Sequence, residues 1–231
     1  MGEARIASWF MLGSVPLLEI AAAQGVRLFV LDRQHGLWNP EGVFQAIKAV
    51  PADAQIYVRV AENNAHAIGE ALDAGAHGVI VPMVETAEEA ARAVAAARFP
   101  PEGNRSGGGV RPMLGDFADY VAGPAKRIQV AVMIETRLGL ENAAAIAQTD
   151  GLDFVFIGSY DLALSLGGDP EQACAAILAA CRESGLNCGR FTPGPQEAKA
   201  AIAAGYKWVV GGYDIGLVSA AYRDVESALR D

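Results

Sequence analysis

Short continuous apolar runs rich in Val, Ile and Phe recur along the chain, each followed by a turn and an alanine-rich stretch of helical period. The runs predict strands near Arg5–Met11, Arg27–Asp32, Gln55–Val60, Gly78–Pro82, Gln129–Glu135, Asp153–Gly158, Leu186–Phe191 and Lys207–Gly212. Unbroken rather than alternating hydrophobicity suits parallel strands covered on both faces. The intervening segments predict helices over Val15–Gln24, Pro40–Val50, Ala65–Ala74, Ala87–Arg98, Leu138–Gln148, Glu171–Ser184, Pro195–Ala204 and Ile215–Arg230. Start and stop signals agree. Asn39-Pro40 is a cap with proline at the first helical position, and Thr86 with Glu89 makes a capping box. Gly25, Gly75, Gly185 and Gly205 each stand just past a helix.

Regular strand–helix alternation predicts an α/β fold, a closed (β/α)8 TIM barrel forming a single domain over residues 1–231. The rival is an open doubly wound sheet, which would carry a glycine-rich phosphate loop after its first strand. Met11–Pro16 lacks that pattern. The interval from Pro82 to Gln129 is about twice the usual spacing, with a further short helix expected near Asp116–Lys126. If that helix runs toward the barrel floor, the glycine-rich stretch Arg105–Arg111 must first climb to the mouth.

Composition removes several function classes. The 231 residues are 52% hydrophobic, too apolar for a disordered chain, and carry a net charge of −9 without clustered cations, so no nucleic-acid partner is expected. No run reaches a membrane span. Ile6–Leu12 faintly imitates the apolar stretch of a signal peptide, but Gly13, Ser14 and Pro16 interrupt it and Glu3 offsets Arg5. The three cysteines, Cys174, Cys181 and Cys188, form no CxxC. Cys174 and Cys181 are expected on one buried helix face, in an intracellular, cytoplasmic protein.

A barrel places its chemistry at the C-terminal ends of its strands. There the sequence sets Asp32 and His35, Arg59, Pro82, Glu135, and Gly158-Ser159-Tyr160-Asp161, with Asp214 after the last strand. Glu135 closes an apolar run, where an unpaired carboxylate is costly and demands a cation. With Asp161 on the adjacent strand end, two carboxylates with open positions suit Mg²⁺ or Mn²⁺, other divalent cations remaining open. The alternatives are an ion pair of Glu135 with Arg59 or Arg137, and Asp161 as the cap of a helical turn over Leu162–Leu166. Asp32 lies close enough to hold one ring nitrogen of His35, making the other a usable base. Arg59, alone in an apolar strand, could grip a carboxylate or a developing enolate oxygen.

Leu31–Gly36, Tyr57–Val60, Ala74–Met83, Met133–Thr136 and Val155–Ala163, with Pro100–Arg105, resemble in order the HpcH/HpaI family of class II pyruvate aldolases. The resemblance spans nearly the whole chain. It implies a divalent-metal-dependent lyase that cleaves 4-hydroxy-2-oxo acids to pyruvate, or a related 2-oxo acid, and an aldehyde. Its other implications are a homo-oligomer, trimer or hexamer, with the last helix exchanged between subunits. By the same resemblance Glu135 and Asp161 are metal ligands, and backbone around Gly158, Ser159, Tyr160 and Asp161, with Pro82, binds substrate. Arg59 stabilises the enolate, and His35, oriented by Asp32, handles the proton of the 4-hydroxyl. Lys48, Lys126, Lys199 and Lys207 fall away from the expected mouth, so no Schiff-base lysine is expected.

Four departures stand out. The first strand falls almost at the start, without the preceding helix expected at the barrel floor. Gln34 stands where better-known members carry Glu, Met133 where some carry Gln, and Ser159 where Pro is common. Two other readings stay open: a CoA-ester lyase of the same superfamily, drawing on Arg33, Arg105 and Arg111, and a non-catalytic barrel that binds a 2-oxo acid.

Overall fold

A computed structural model describes residues 4–230; Glu3, weighed above against a leader peptide, lies outside the described residues. The strands β1 (Arg5–Phe10), β2 (Leu28–Asp32), β3 (Gln55–Arg59), β4 (Gly78–Val81), β5 (Gln129–Ile134), β6 (Phe154–Ile157), β7 (Asn187–Arg190) and β8 (Trp208–Tyr213) pair in chain order, all parallel, and β8 closes on β1 as a barrel. Each falls within a residue or two of its predicted bounds.

The helices α1 (Val15–Ala23), α2 (Pro40–Ala49), α3 (Ala65–Asp73) and α4 (Ala87–Ala97) follow the first four strands. Their predicted starts are realised in hydrogen bonds. Gly42 N–H donates to Asn39 Oδ1 at 2.7 Å, and Glu89 N–H donates to Thr86 Oγ1 at 3.2 Å.

The long interval differs from expectation. Asp116 caps a short α5 (Phe117–Ala122), and a 3-10 turn, Pro124–Arg127, leads into β5. The glycine-rich stretch does not climb to the mouth. Arg105 donates to Asp73 Oδ1 at 2.8 Å and to Tyr120 Oη at 3.1 Å, while Arg111 donates to the carbonyls of Ala74 at 2.6 Å and Phe44 at 2.9 Å. Those anchors are the C-terminal end of α3 and the body of α2, on the outside of the barrel toward its floor.

Beyond β5 the predicted single helix Leu138–Gln148 is broken at Asn142 into α6 (Arg137–Glu141) and α7 (Ala143–Ala147). The Asn142 amide donates to Glu85 O at 2.8 Å instead of lying along a continuous helix. Then come α8 (Ser159–Leu166), α9 (Glu171–Glu183), α10 (Pro195–Ala204) and α11 (Asp214–Ala228). Gly205, at φ 102, supplies the left-handed stop after α10.

One core lies between sheet and helices; the second fills the barrel. The second is aromatic. Phe154 stacks on Trp208 at 5.3 Å, Tyr57 meets Trp208 edge-on at 5.5 Å, and Trp9 lies 5.6 Å from Phe156. At the floor the Arg5 guanidinium donates to Tyr57 Oη at 3.0 Å and Gln129 Oε1 at 2.8 Å, and also to Gln55.

The three cysteines are free and buried, Cys174 and Cys181 on α9 as expected and Cys188 on β7. Burial pushes the Cys174 and Cys188 thiols up, so they are inert packing groups. No helix among the described residues is long and apolar enough to cross a membrane.

Candidate active site

The mouth is built where β2 and β3 end side by side. Their register sets Asp32 opposite Arg59. Arg59 Nε donates to Asp32 Oδ1 at 2.9 Å, and its Nη2 closes the pair on Oδ2. Trp9 Nε1 donates to Oδ2 at 3.2 Å, and the backbone N–H groups of Gln34 and His35 donate to Oδ1 at 2.9 and 3.1 Å. Burial pulls the Asp32 pKa upward, but these donors and the Arg59 charge outweigh it and hold the carboxyl below the usual range.

This corrects the expected Asp32–His35 contact. Asp32 grips the His35 backbone, not its ring. The imidazole is exposed, lines the cavity and has no side-chain hydrogen bond among the described residues. Arg59 is likewise the partner of Asp32 rather than of Glu135, and among the described residues its Nη1 has no hydrogen-bond partner.

Glu135, directly after β5, is 1% exposed. Met83 N–H donates to Oε1 at 2.7 Å; among the described residues Oε2 has no partner. Burial raises its pKa to about 6; the Met83 N–H and Arg59 pull it back, while Asp161 and Asp32 push it further up. Met83 itself adopts a left-handed backbone, φ 56, unusual for a residue with a side chain. That turn aims its amide at the carboxylate. Gly158 is required on the other side. A Cβ there would lie 2.3 Å from Glu135 Oε2 and 2.9 Å from its Cβ.

Asp161 sits inside the first turn of α8, whose cap is Gly158, so it does not cap a helix over Leu162–Leu166. The first intrahelical bond of α8 runs from Leu162 N–H to Gly158 O at 3.0 Å. The N–H groups of Ser159, Tyr160 and Asp161 precede it, at an end that favours anions. Among the described residues no cluster of three His, Cys, Asp or Glu side chains converges. A buried carboxylate oxygen unpartnered among the described residues, with Asp161 as its acidic neighbour, could nevertheless hold a hard divalent cation whose shell water and substrate complete.

The cavity, of about 310 Å³, is lined by His35, Arg59, Gly158, Ser159, Tyr160 and Asp161, so six of the expected site residues meet in it. Pro82 does not. It is buried behind the wall, and its neighbour Met83 makes the contact with Glu135. No lysine lines the cavity. Arg105 and Arg111 are tied near the floor, and Arg33 pairs with Glu70, which removes the cations a CoA-ester lyase would draw on.

Four contributors were not assigned a role by sequence reasoning. Trp9 and Phe191 face the cavity from β1 and from just past β7, and Tyr213 from the end of β8. Asp214, buried, accepts from the N–H groups of Met11 at 2.9 Å, Leu12 at 2.8 Å and Ile215 at 2.8 Å, tying the loop after β1 to α11. Its position after the last strand was the available signal.

A family model described as HpcH/HpaI aldolase/citrate lyase matches residues 5–221. The 5-keto-4-deoxy-D-glucarate aldolases of Salmonella paratyphi C (strain RKS4594) and Salmonella newport (strain SL254) are each 35% identical over 229 residues, covering 95% of this chain and 90% of the relative. A crystal structure of an HpcH/HpaI aldolase/citrate lyase family protein from Burkholderia cenocepacia J2315 superposes with a TM-score of 0.93 at 31% identity, covering 99% of this chain and 95% of the other. The CitE protein of Mycobacterium tuberculosis, in complex with magnesium and acetoacetate, shares the fold at a TM-score of 0.61 and 19% identity, covering 90% of this chain and 85% of the other.

Proposed function

The chain belongs to the HpcH/HpaI aldolase/citrate lyase family and is an aldolase, a carbon–carbon lyase acting on small molecules; on that premise we propose that it reversibly cleaves 4-hydroxy-2-oxo acids to pyruvate and an aldehyde, with Mg²⁺ or Mn²⁺ held by Glu135 and Asp161. The observation that carries this reading is the buried Glu135 Oε2, unpartnered among the described residues, just behind the wall of the cavity that Asp161 lines. A bound divalent cation supplies Lewis-acid stabilisation of negative charge developing on the 2-oxo group.

The chain's own residues do the rest. The N–H groups of Ser159, Tyr160 and Asp161 hold the substrate carboxylate at the start of α8. Arg59, locked in orientation by Asp32, offers Nη1 to the enolate oxygen, where a preorganised cation in a water-poor site is most effective. His35 takes the proton of the 4-hydroxyl as the C3–C4 bond breaks. Its ring has no hydrogen-bond partner among the described residues, so a ring nitrogen is available without breaking a bond. Phe156 and Trp9 close the site beneath.

The same reading extends to assembly and compartment. Beyond Asp214 no residue of α11 is buried, and Leu217, Tyr222 and Val225 stand exposed on it. A trimer or hexamer with α11 exchanged between subunits accounts for that uncovered helix, and the three free, buried cysteines suit the reducing cytoplasm. The deciding experiment measures aldol formation from pyruvate and an aldehyde panel with added Mn²⁺ and after EDTA. Metal-dependent product is expected. Equal rates with and without chelator, or no carbon–carbon chemistry with any aldehyde, would refute the proposal.

A further inference from the structure

Resting on that reading, the distribution of charge and rings around the cavity bears on the aldehyde half of the substrate. One side of the cavity is acidic, with Asp161 on its wall and Glu135 behind it. Next to it the wall is aromatic. Phe191, just past β7, is its hub: its ring lies 5.9 Å from Trp9, edge-on, 5.8 Å from Tyr160 and 5.6 Å from Tyr213. Phe156 continues the surface below, 5.6 Å from Trp9.

The basic side chains of the wall are Arg59 and His35. Arg59 is already matched in charge by Asp32, and His35 is committed to the proton of the 4-hydroxyl. The other arginines near the mouth face elsewhere. Arg33 pairs with Glu70, Arg190 pairs with Glu171, and Arg137 Nη2 donates to Leu166 O at 3.2 Å; none lines the cavity. With both acids committed to the cation of the proposed site, a second carboxylate on the substrate would lose its water among these rings and find no unmatched cation among the described residues of the wall, at high cost. An aromatic ring would instead find edges and faces at the separations that ring pairs prefer.

We infer that the aldehyde half of the substrate is uncharged and apolar, an aromatic aldehyde seated against Phe191, and that Phe191 determines this specificity. This separates the chain from its relatives named for 5-keto-4-deoxy-D-glucarate, an acid with a carboxylate at each end, whose aldehyde half retains one of them. In the synthetic direction a proton leaves C3 of pyruvate, and the resulting electron pair forms the bond to the aldehyde carbon. The aldehyde π pair moves onto its oxygen, which takes a proton and becomes the 4-hydroxyl. Nothing is oxidised or reduced. Phe191 touches only the substituent of the aldehyde, so it acts on which aldehyde is held rather than on proton transfer.

The test uses the Mn²⁺-loaded enzyme with pyruvate and three aldehydes: benzaldehyde, acetaldehyde as a small neutral control, and succinic semialdehyde as the anionic one. Exchange of the pyruvate methyl protons with D2O is followed in parallel. The expected result is a kcat/KM for benzaldehyde at least about tenfold above that for succinic semialdehyde, with the difference mainly in the KM of the aldehyde. F191K is expected to move that ratio toward the anionic aldehyde by at least about tenfold, through the same KM.

A wild-type enzyme that exchanges pyruvate protons but prefers succinic semialdehyde, or shows no preference, overturns the inference and leaves the aldolase reading standing. An F191K enzyme with an unchanged ratio overturns the role of Phe191. Absence of both exchange and turnover overturns the inference together with the reading on which it rests.

Discussion

Replacing Glu135 with Gln isolates the electrostatic cost that the site carries before a cation binds. The carboxyl is 1% exposed, and its pKa stands at about 6 against an ordinary 4.5. At about 1.4 kcal/mol per pH unit the difference amounts to about 2 kcal/mol. Because the folded pKa is the higher one, the folded protein keeps this proton longer than the unfolded chain does. Its contribution to stability is fully present below pH 4.5 and is lost as the pH climbs through about 6. Above that, ionised Glu135 is a penalty.

Glutamine cannot ionise, and it retains an acceptor for the Met83 N–H. Metal-free E135Q should therefore be about 2 kcal/mol more stable than the wild type at pH 7.5, or about 4–8 °C in Tm for a chain of this length, and equal to it near pH 4.5. Saturating Mn²⁺ should reverse the order, stabilising the wild type by several degrees and leaving E135Q nearly unmoved. The assay is thermal and urea unfolding after chelation between pH 4.5 and 8, repeated with Mn²⁺. An E135Q protein with the wild-type pH slope, or one stabilised equally by Mn²⁺, would refute the reasoning.

Three further perturbations probe the surrounding geometry. D32N strips Arg59 of its buried partner and should cost about 3–5 kcal/mol at pH 7 in urea unfolding. The pKa of Asp32 is depressed, so its contribution is present above 3.8 and lost as the pH falls below it; the gap between the two proteins should narrow there. G158A drives a methyl group into Glu135 and should lower Mn²⁺ affinity, read by calorimetry, by at least about tenfold, with about 1–3 kcal/mol lost from the fold. D214A leaves the Met11 and Leu12 amides without their acceptor, so it should cost about 1–3 kcal/mol in urea unfolding and expose the loop after β1 to proteolysis; unchanged cleavage there would deny Asp214 its role as a tie.

The barrel was legible because buried parallel strands leave unbroken apolar runs and helix ends leave caps, both local signals. Glu135 was legible for a related reason: an acid closing the run Val130–Ile134 has no cheap explanation. What failed depended on distance. Asp32 and His35 are three residues apart and suggested a local pair, whereas the register of β2 on β3 gives the carboxylate to Arg59. The path of Arg105–Arg111 does not follow from chain direction, because hydrogen bonds to α2 and α3 set it. The left-handed turn at Met83 has no composition of its own, since glycine is the usual occupant of that conformation. The aromatic wall is assembled from β1, β6, the segment after β7, and β8, residues that no window along the sequence brings together.

The arginine and its amide and phenol acceptors at the base of the barrel, with the stacked rings above them, close that end among the described residues and leave reactants the mouth as their doorway. Two molecules that share one doorway must queue. In the proposed reaction the 2-oxo acid, lodged against Glu135 and Asp161, has to enter before the aldehyde and depart after it. Steady-state kinetics should therefore show a compulsory sequence, with the aldehyde product released first and pyruvate competing with the intact substrate for the empty enzyme.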